Sequence, residues 1–172
     1  MQRRRLFTFT LSALAAATVG ATLGGCGFKL RGKQNFAFET IGVTPEQGGP
    51  VAAELARYLG DLVRPVAPPA GGAPPQVIVD ILQELREKII VALNASGQVR
   101  EYQLRIRLRF RLRTSTGRDL IAPAEIIQER DISFNESAAL AKEAEEVLIY
   151  RDMQADLVQQ LLRRLAALKS LE

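Results

Sequence analysis

Arginine occupies every second position along one stretch of the chain, and this spacing suits the binding of anions. The residues are Arg105, Arg107, Arg109, Arg111 and Arg113. Alternate side chains of a β-strand point to the same face about 7 Å apart, so the five guanidinium groups would share one surface. Guanidinium groups pair bidentately with phosphates and carboxylates. The pattern therefore predicts either an anion-binding surface or a set of ion pairs with nearby carboxylates.

Carboxylates on the neighbouring segments can neutralise most of this surface by pairing across strands. They are Asp80 and Glu84 on the preceding strand, which we expect to share a face with Arg86 and Lys88, and Glu125, Glu129 and Asp131 on the following strand. Seven cations would then meet five carboxylates, which leaves a surplus of two positive charges. Three partners fit that surplus: nucleic acid, a polyanionic lipid head group, or the polar cavity of another protein.

Catalysis has little support in the composition. The chain has no histidine and a single cysteine, so the common triads and zinc sites lack their parts and no disulfide can close within the chain. Glu125 and Glu129 remain as a possible acid and base, but the surrounding arginines would keep both ionised and so remove the acid. We therefore expect a protein that is not an enzyme and that uses no metal or other cofactor.

Hydrophobic periodicity predicts the elements that position these charges. Strands are expected at residues 36–43, 76–93, 99–114 and 121–134, and helices from residue 50 and over residues 142–169. The fold class is α+β: two helices packed on one face of a four-stranded mixed β-sheet, in the order β-α-β-β-β-α. The last three strands should form an antiparallel meander.

Local composition predicts three interruptions of this pattern. The proline-rich residues 65–75 should form a surface loop, because they suit neither a helix nor a sheet. The second strand should bend or bulge near residues 84–87. The fourth strand should break near Pro123.

The first segment has the layout of an export signal. Arginines at positions 3–5 precede a mostly apolar run over residues 6–23. The sequence LGGC at 23–26 follows, with the cysteine at Cys26. This ending resembles the bacterial lipobox, so we expect cleavage before Cys26 and a lipid on its thiol. Two alternatives are an unmodified cysteine in an uncleaved anchor and a chance cysteine near an ordinary signal site.

Cleavage would change both the charge and the destination of the chain. The segment removed, residues 1–25, carries three of the 23 basic residues and none of the 19 acidic ones, so 20 basic residues would remain. An exported chain meets little nucleic acid, and we expect no such partner. Gly27 stands where an aspartate would resemble the inner-membrane retention signal, so we expect a lipid anchor in the outer membrane. Residues 26–35 would form a tether and residues 36–172 a single domain.

Four motifs and a final helix occur along the chain in a specific order. They are CGFKLRG at 26–32, GQVREYQL at 97–104, GRDL at 117–120, ALAKE at 139–143, and a long amphipathic helix that ends in QQLLRRL at 159–165. Together they resemble the LPS-assembly lipoprotein family, LptE. The resemblance implies a small α/β lipoprotein that sits as a plug inside the LptD β-barrel. It also implies that the pair inserts lipopolysaccharide into the outer leaflet of the outer membrane.

The same resemblance implies direct contact between basic residues and lipopolysaccharide. The lysine of the ALAK segment falls on Lys142. A second basic position before the hairpin turn is not matched, because Ala95 and Ser96 stand there; Arg100 on the adjacent strand is the candidate substitute. Two alternatives stay open: Lys142 as an ordinary solvated lysine in the first turn of a helix, and the whole protein as a generic scaffold tethered to the outer membrane without a lipid role.

Overall fold

The computed structural model describes residues 34–46 and 48–171, and within them the chain forms four strands and two α-helices. In chain order these elements are β1 (Ile41–Thr44), α1 (Pro50–Leu59), β2 (Val77–Leu93), β3 (Val99–Thr114), β4 (Asp119–Ser133) and α2 (Ala139–Ala166). The predicted signal peptide and Cys26 lie outside the described residues. Neither helix in this part of the chain is long and apolar enough to cross a membrane.

The strands form one mixed sheet in the order β1-β2-β3-β4. β1 runs parallel to β2, and the connection between them contains α1, as a parallel crossover requires. β2, β3 and β4 form an antiparallel meander whose two hairpins turn at Gly97 and Gly117, each with a positive φ that favours glycine. The predicted fold class and element order are confirmed.

The core lies between one face of the sheet and the two helices. β3 contributes the fully buried side chains Leu104, Ile106, Leu108, Phe110 and Leu112, and α2 contributes Met153, Leu157, Leu161 and Leu165. The strict alternation of β3 therefore predicted its buried face correctly. The five alternating arginines of β3, Arg105 to Arg113, lie on the opposite face, which the helices do not cover.

Several element boundaries differ from the prediction. β1 starts at Ile41 rather than at residue 36, and the preceding Phe36 and Phe38 rings stack on each other instead, with centroids 4.9 Å apart. α2 begins and ends three residues early, at 139 and 166, after a short 3-10 turn capped by the Asn135 side chain. β4 starts at residue 119 and continues through Pro123 as one strand, but its register against β3 shifts there, where an edge strand tolerates a missing N–H.

β2 is irregular, but not at residues 84–87, where the sequence predicts a bend. Its register against β3 shifts between Ile81 and Gln83, and again between Ile90 and Leu93. One extra residue in a strand moves all later side chains to the other face. Asp80 therefore lies on the arginine side of the sheet, opposite Arg111. The next three charged residues of even number, Glu84, Arg86 and Lys88, pair with buried positions of β3 and point to the helix side.

Candidate functional site

The arginine face is the side of the sheet turned away from the helices, and β3 supplies its five arginines. The strand register places seven carboxylates on the same face: Asp80, Glu87, Glu101, Asp119, Glu125, Glu129 and Asp131. The expected surplus of two positive charges is therefore wrong. It assumed that Arg86 and Lys88 share this face, whereas the irregularity at Ile81–Gln83 turns them to the helix side. Counted by register, the carboxylates of this face outnumber its five arginines by two.

Asp80 is the most tightly bonded carboxylate of this face. Its Oδ2 accepts hydrogen bonds from Nε of Arg111 at 2.7 Å and Nε of Arg113 at 2.8 Å, and its Oδ1 accepts one from the Thr44 hydroxyl at 2.6 Å. Burial raises the pKa of Asp80, but the hydrogen bonds from Arg113, Thr44 and Arg111 outweigh burial and hold the pKa below its usual value. This carboxylate thereby joins β1, β2 and β3.

The other arginines differ in how they are neutralised. Arg105 Nε lies 2.7 Å from Glu129 Oε1, and Arg107 Nε lies 3.1 Å from Glu87 Oε2. Arg109 is exposed and forms no ion pair within the described residues, although Glu125 stands opposite it in the register. Pairing with carboxylates of the neighbouring strands therefore neutralises Arg105 and Arg107, whereas Arg109 lacks such a partner among the described residues.

On the helix side, Glu84 contacts the first turn of α1. Its Oε2 accepts a hydrogen bond from the Val51 backbone N–H at 3.2 Å, which satisfies one of the free donors at a helix start. Burial raises the pKa of Glu84 more than this bond and Arg86 lower it. Nearby, Arg86 donates to Gln154 Oε1 at 2.6 Å, so the charged residues on this side of β2 connect the sheet to both helices.

Lys142 lines a shallow pocket of about 200 Å³ between the start of α2 and the ends of β3 and β4. Its Nζ donates to Ser133 Oγ at 3.1 Å and to Glu145 Oε2 at 2.8 Å. Lys142 is therefore not an uncompensated charge, because the helix places Glu145 three residues away on the same side.

A second lysine lines the same pocket, and the sequence did not indicate it. Lys88 Nζ lies 4.4 Å from the centroid of the Tyr102 ring and 2.5 Å from Glu146 Oε2. The pocket thus combines two ammonium groups with an aromatic ring, and each lysine is opposed by a glutamate of α2. Sequence alternation alone could not place Lys88 here, because the irregularity of β2 decides which side Lys88 faces.

Arg100 lies near this pocket but does not line it. Its backbone oxygen accepts a hydrogen bond from Phe134 N at 2.8 Å, and Phe134 is one of the pocket residues. The Arg100 side chain is exposed and has no ion pair within the part of the chain that the structure describes. The structure therefore places Lys142 and Arg100 at the same end of the sheet without joining them in one cavity. No group of three or more acidic, cysteine or histidine side chains among the described residues is arranged to hold a metal ion.

Comparison with known proteins gives a consistent family. The model of the family described as "LptE: Lipopolysaccharide-assembly" matches residues 34–165. The LPS-assembly lipoprotein LptE of Pectobacterium atrosepticum is 27% identical, over 95% of this chain and 86% of that protein.

Solved structures agree with this match. The solution structure of the uncharacterized lipoprotein B from Nitrosomonas europaea is 36% identical, with a TM-score of 0.67, and covers 82% of this chain and 91% of its own. The rare lipoprotein B from Shewanella oneidensis is 19% identical, with a TM-score of 0.59 over 74% of this chain and 92% of its own, and shares the fold.

The opposite pKa directions of Asp80 and Glu84 predict that neutralising Asp80 costs much more stability than neutralising Glu84. Asp80→Asn should lower the free energy of unfolding near neutral pH by about 2 kcal/mol, because charged hydrogen bonds to partly exposed arginines are lost. Glu84→Gln should change it by less than about 0.5 kcal/mol, because the amide oxygen can still accept from Val51 and a buried charge is removed. Urea denaturation of both variants measures the difference.

The effect of pH on the same two variants follows from linkage. Because the folded-state pKa of Asp80 is lowered, its contribution is present above about pH 4 and is lost as the pH falls through the folded value. The deficit of Asp80→Asn should therefore shrink by about pH 3. Because the pKa of Glu84 is raised, its ionised form costs stability as the pH rises. The free energy of unfolding of Glu84→Gln, relative to that of the parent, should therefore be highest at neutral pH. A constant Asp80→Asn deficit across this range would contradict the ion-pair assignment.

Proposed function

The chain belongs to the LptE family of lipopolysaccharide-assembly proteins, and from this premise we propose that it plugs and helps to assemble the LptD β-barrel. In this proposal it is a lipoprotein of the outer membrane that contacts lipopolysaccharide during insertion into the outer leaflet, and it catalyses no reaction. Residues 1–25 are removed as a signal peptide, Cys26 carries the lipid, residues 26–35 form the tether, and residues 36–172 form the domain inside the barrel.

The dense array of charges on the arginine face is the observation that carries the plug proposal. A sheet face with five arginines and seven carboxylates suits a water-lined lumen, because its ion pairs stay hydrated there. An obligate interface with a dry centre would instead require apolar side chains on this face. The free charge of Arg109 adds a donor that a polar lumen wall can satisfy.

The helix side supports the lipid contact. Lys88, Lys142 and Arg100 lie towards the end of the sheet farthest from β1, and phosphate groups of lipopolysaccharide are the ligands that such cations bind. Since glutamates oppose both lysines, the exposed Arg100 is the cation most available to the lipid, and Lys142 must exchange Glu145 for phosphate.

The plug proposal predicts a stoichiometric complex. The tagged full-length chain, extracted from envelope membranes in mild detergent, should purify one to one with a single barrel protein of much larger mass. A tagged outer-membrane lipoprotein of similar size serves as control. Purification of the chain alone, or with several proteins in variable amounts, would favour the scaffold alternative.

The anchor proposal predicts that Cys26→Ala loses membrane attachment while the domain still folds, since the described residues 34–171 pack around a continuous hydrophobic core. Fractionation of cells into soluble and membrane fractions measures attachment, and the thermal melt of the purified variant measures folding. The anchor proposal fails if the variant still fractionates with membranes when the barrel is depleted, a condition that separates the lipid anchor from the barrel contact.

The lipid proposal predicts that the double variant Arg100→Glu, Lys142→Glu binds purified lipopolysaccharide about tenfold more weakly, since two favourable contacts become repulsive. The loss should shrink at high salt, because exposed charges are screened. Arg109→Glu is the matched control: Arg109 is also an exposed arginine of β3 without an ion pair in the described residues, but it lies on the opposite face. The lipid proposal is contradicted if the double variant and Arg109→Glu lose equal affinity for lipopolysaccharide. It is also contradicted if the folded double variant binds lipopolysaccharide as the parent does.

A further inference from the structure

The outer edge of β2 is only partly covered. β1 pairs with its first four residues, Val77 to Asp80, and no strand within the described residues pairs with the rest of that edge. We refer to residues 82–93 of β2 as the open edge. A strand edge without a neighbour presents backbone N–H and C=O groups that can bond to another strand.

The open edge ends in the apolar run IIVAL, residues 89–93. Within it, Ile90 is 54% exposed, Val91 47% and Leu93 59%. The free edge of β4 differs, because Pro123 and a series of charged residues interrupt it, and both features oppose pairing with other strands. The sheet therefore has one protected edge and one edge that exposes apolar side chains beside free backbone groups.

A stripe on α2 adds to this surface. Leu140, Val147 and Gln154 are spaced by seven residues, which is nearly two helical turns, so they lie on one side of the helix. Gln154 Nε2 donates to the backbone oxygen of Pro50 at 3.3 Å, and this side of α2 therefore faces α1. Leu140 is 83% exposed and Val147 is 68% exposed, so α1 does not cover them.

The position of α1 explains why this stripe is uncovered. The first turn of α1 contacts Glu84, near the middle of β2. The turn after α1 reaches Val63, which bridges to Ile41 beside the first residue of β2. α1 and β1 therefore flank only the first half of β2, and both the open edge and the apolar stripe of α2 lie beyond them.

We propose that the open edge binds an extended segment of another polypeptide, which adds to the sheet as a fifth strand beside β2. The inserted strand would continue along the edge that β1 already uses, and side chains on its helix side would pack near Ile90 and Val147. Strand addition supplies backbone hydrogen bonds and side-chain contacts at once. The proposal goes beyond lipopolysaccharide assembly, because it requires only a polypeptide partner.

The chemistry of the edge favours a polypeptide over a lipid. The apolar residues of 89–93 are exposed on both faces of the strand, and no strand of the described chain pairs with the outward-facing backbone groups between them. An acyl chain can cover apolar side chains but cannot donate or accept hydrogen bonds. Only another backbone satisfies the edge while its alternating side chains cover both faces.

The polarity of β2 disfavours a second copy as the occupant. The open edge is mostly polar over residues 82–88, where Leu82 and Leu85 are the apolar residues, and is wholly apolar over residues 89–93. Antiparallel pairing of two copies along the whole edge would set the apolar half of each beside the polar half of the other. Parallel pairing in register would set Arg86 beside Arg86 and Lys88 beside Lys88, which repel. A different polypeptide is free of both constraints.

Site-specific crosslinking of the full-length chain in its own cells tests the proposal. A photoreactive amino acid is placed at Leu85 or at Ile90, two exposed positions of the open edge, and at Ile127 on the free edge of β4 as control. Mass spectrometry then maps each crosslink. Strand addition predicts that Leu85 and Ile90 crosslink to one short segment of one partner, at positions about five residues apart, because both strands rise about 3.3 Å per residue. Ile127 should not crosslink to that segment.

A charged substitution provides the second arm. Ile90→Lys should reduce the Leu85 crosslink at least about fivefold, whereas Ile127→Lys should leave it unchanged. If Ile90→Lys has a lower melting temperature than the parent, Leu93→Lys is used in its place. Crosslinks to a second copy of the chain, to lipid, to scattered segments of several proteins, or to nothing would overturn the proposal.

Discussion

The hydrogen bonds of one carboxylate, that of Asp80, hold β1 against β2 and β3. β1 has only four residue pairs with β2, and its pairing is parallel, which is the less stable arrangement per residue. Asp80 adds bonds from Thr44 of β1 and from two arginines of β3, so the position of β1 depends strongly on it. α1 follows β1 in the chain and buries Val51 and Leu55 in the core. The Asp80 carboxylate therefore helps to position both β1 and α1.

The sequence predicted β3 fully and β2 only in part, for a physical reason. In β3 the alternation runs without interruption, so the residue types alone separate the buried face from the arginine face. In β2 the register shift near Ile81–Gln83 depends on how the strand packs, and neither glycine nor proline marks it. Prediction therefore failed for Glu84, Arg86 and Lys88, the three charged residues after the shift whose face the sequence analysis had assigned.

Prediction of the candidate site shows the same limit. The pairing of Lys142 with Glu145 is local, so helical spacing alone could have indicated it. The pairing of Asp80 with two arginines, and the lack of a partner for Arg109 among the described residues, depend on strand register and side-chain direction. Those are tertiary properties that composition does not encode. Periodicity predicted the fold class and the family resemblance indicated lipopolysaccharide assembly, whereas the distribution of charge between the two faces required the structure.

The irregularity at Ile81–Gln83 also bears on how this chain can change over generations. Before it, even-numbered residues of β2 lie on the arginine side, and from Glu84 to Ile90 they lie on the helix side. Loss or gain of a single residue there would exchange the surroundings of about ten side chains at once, moving Glu84 away from α1 and Lys88 away from Tyr102. Point replacements at each position disturb one contact. The length of this strand should consequently vary less among descendants than its composition.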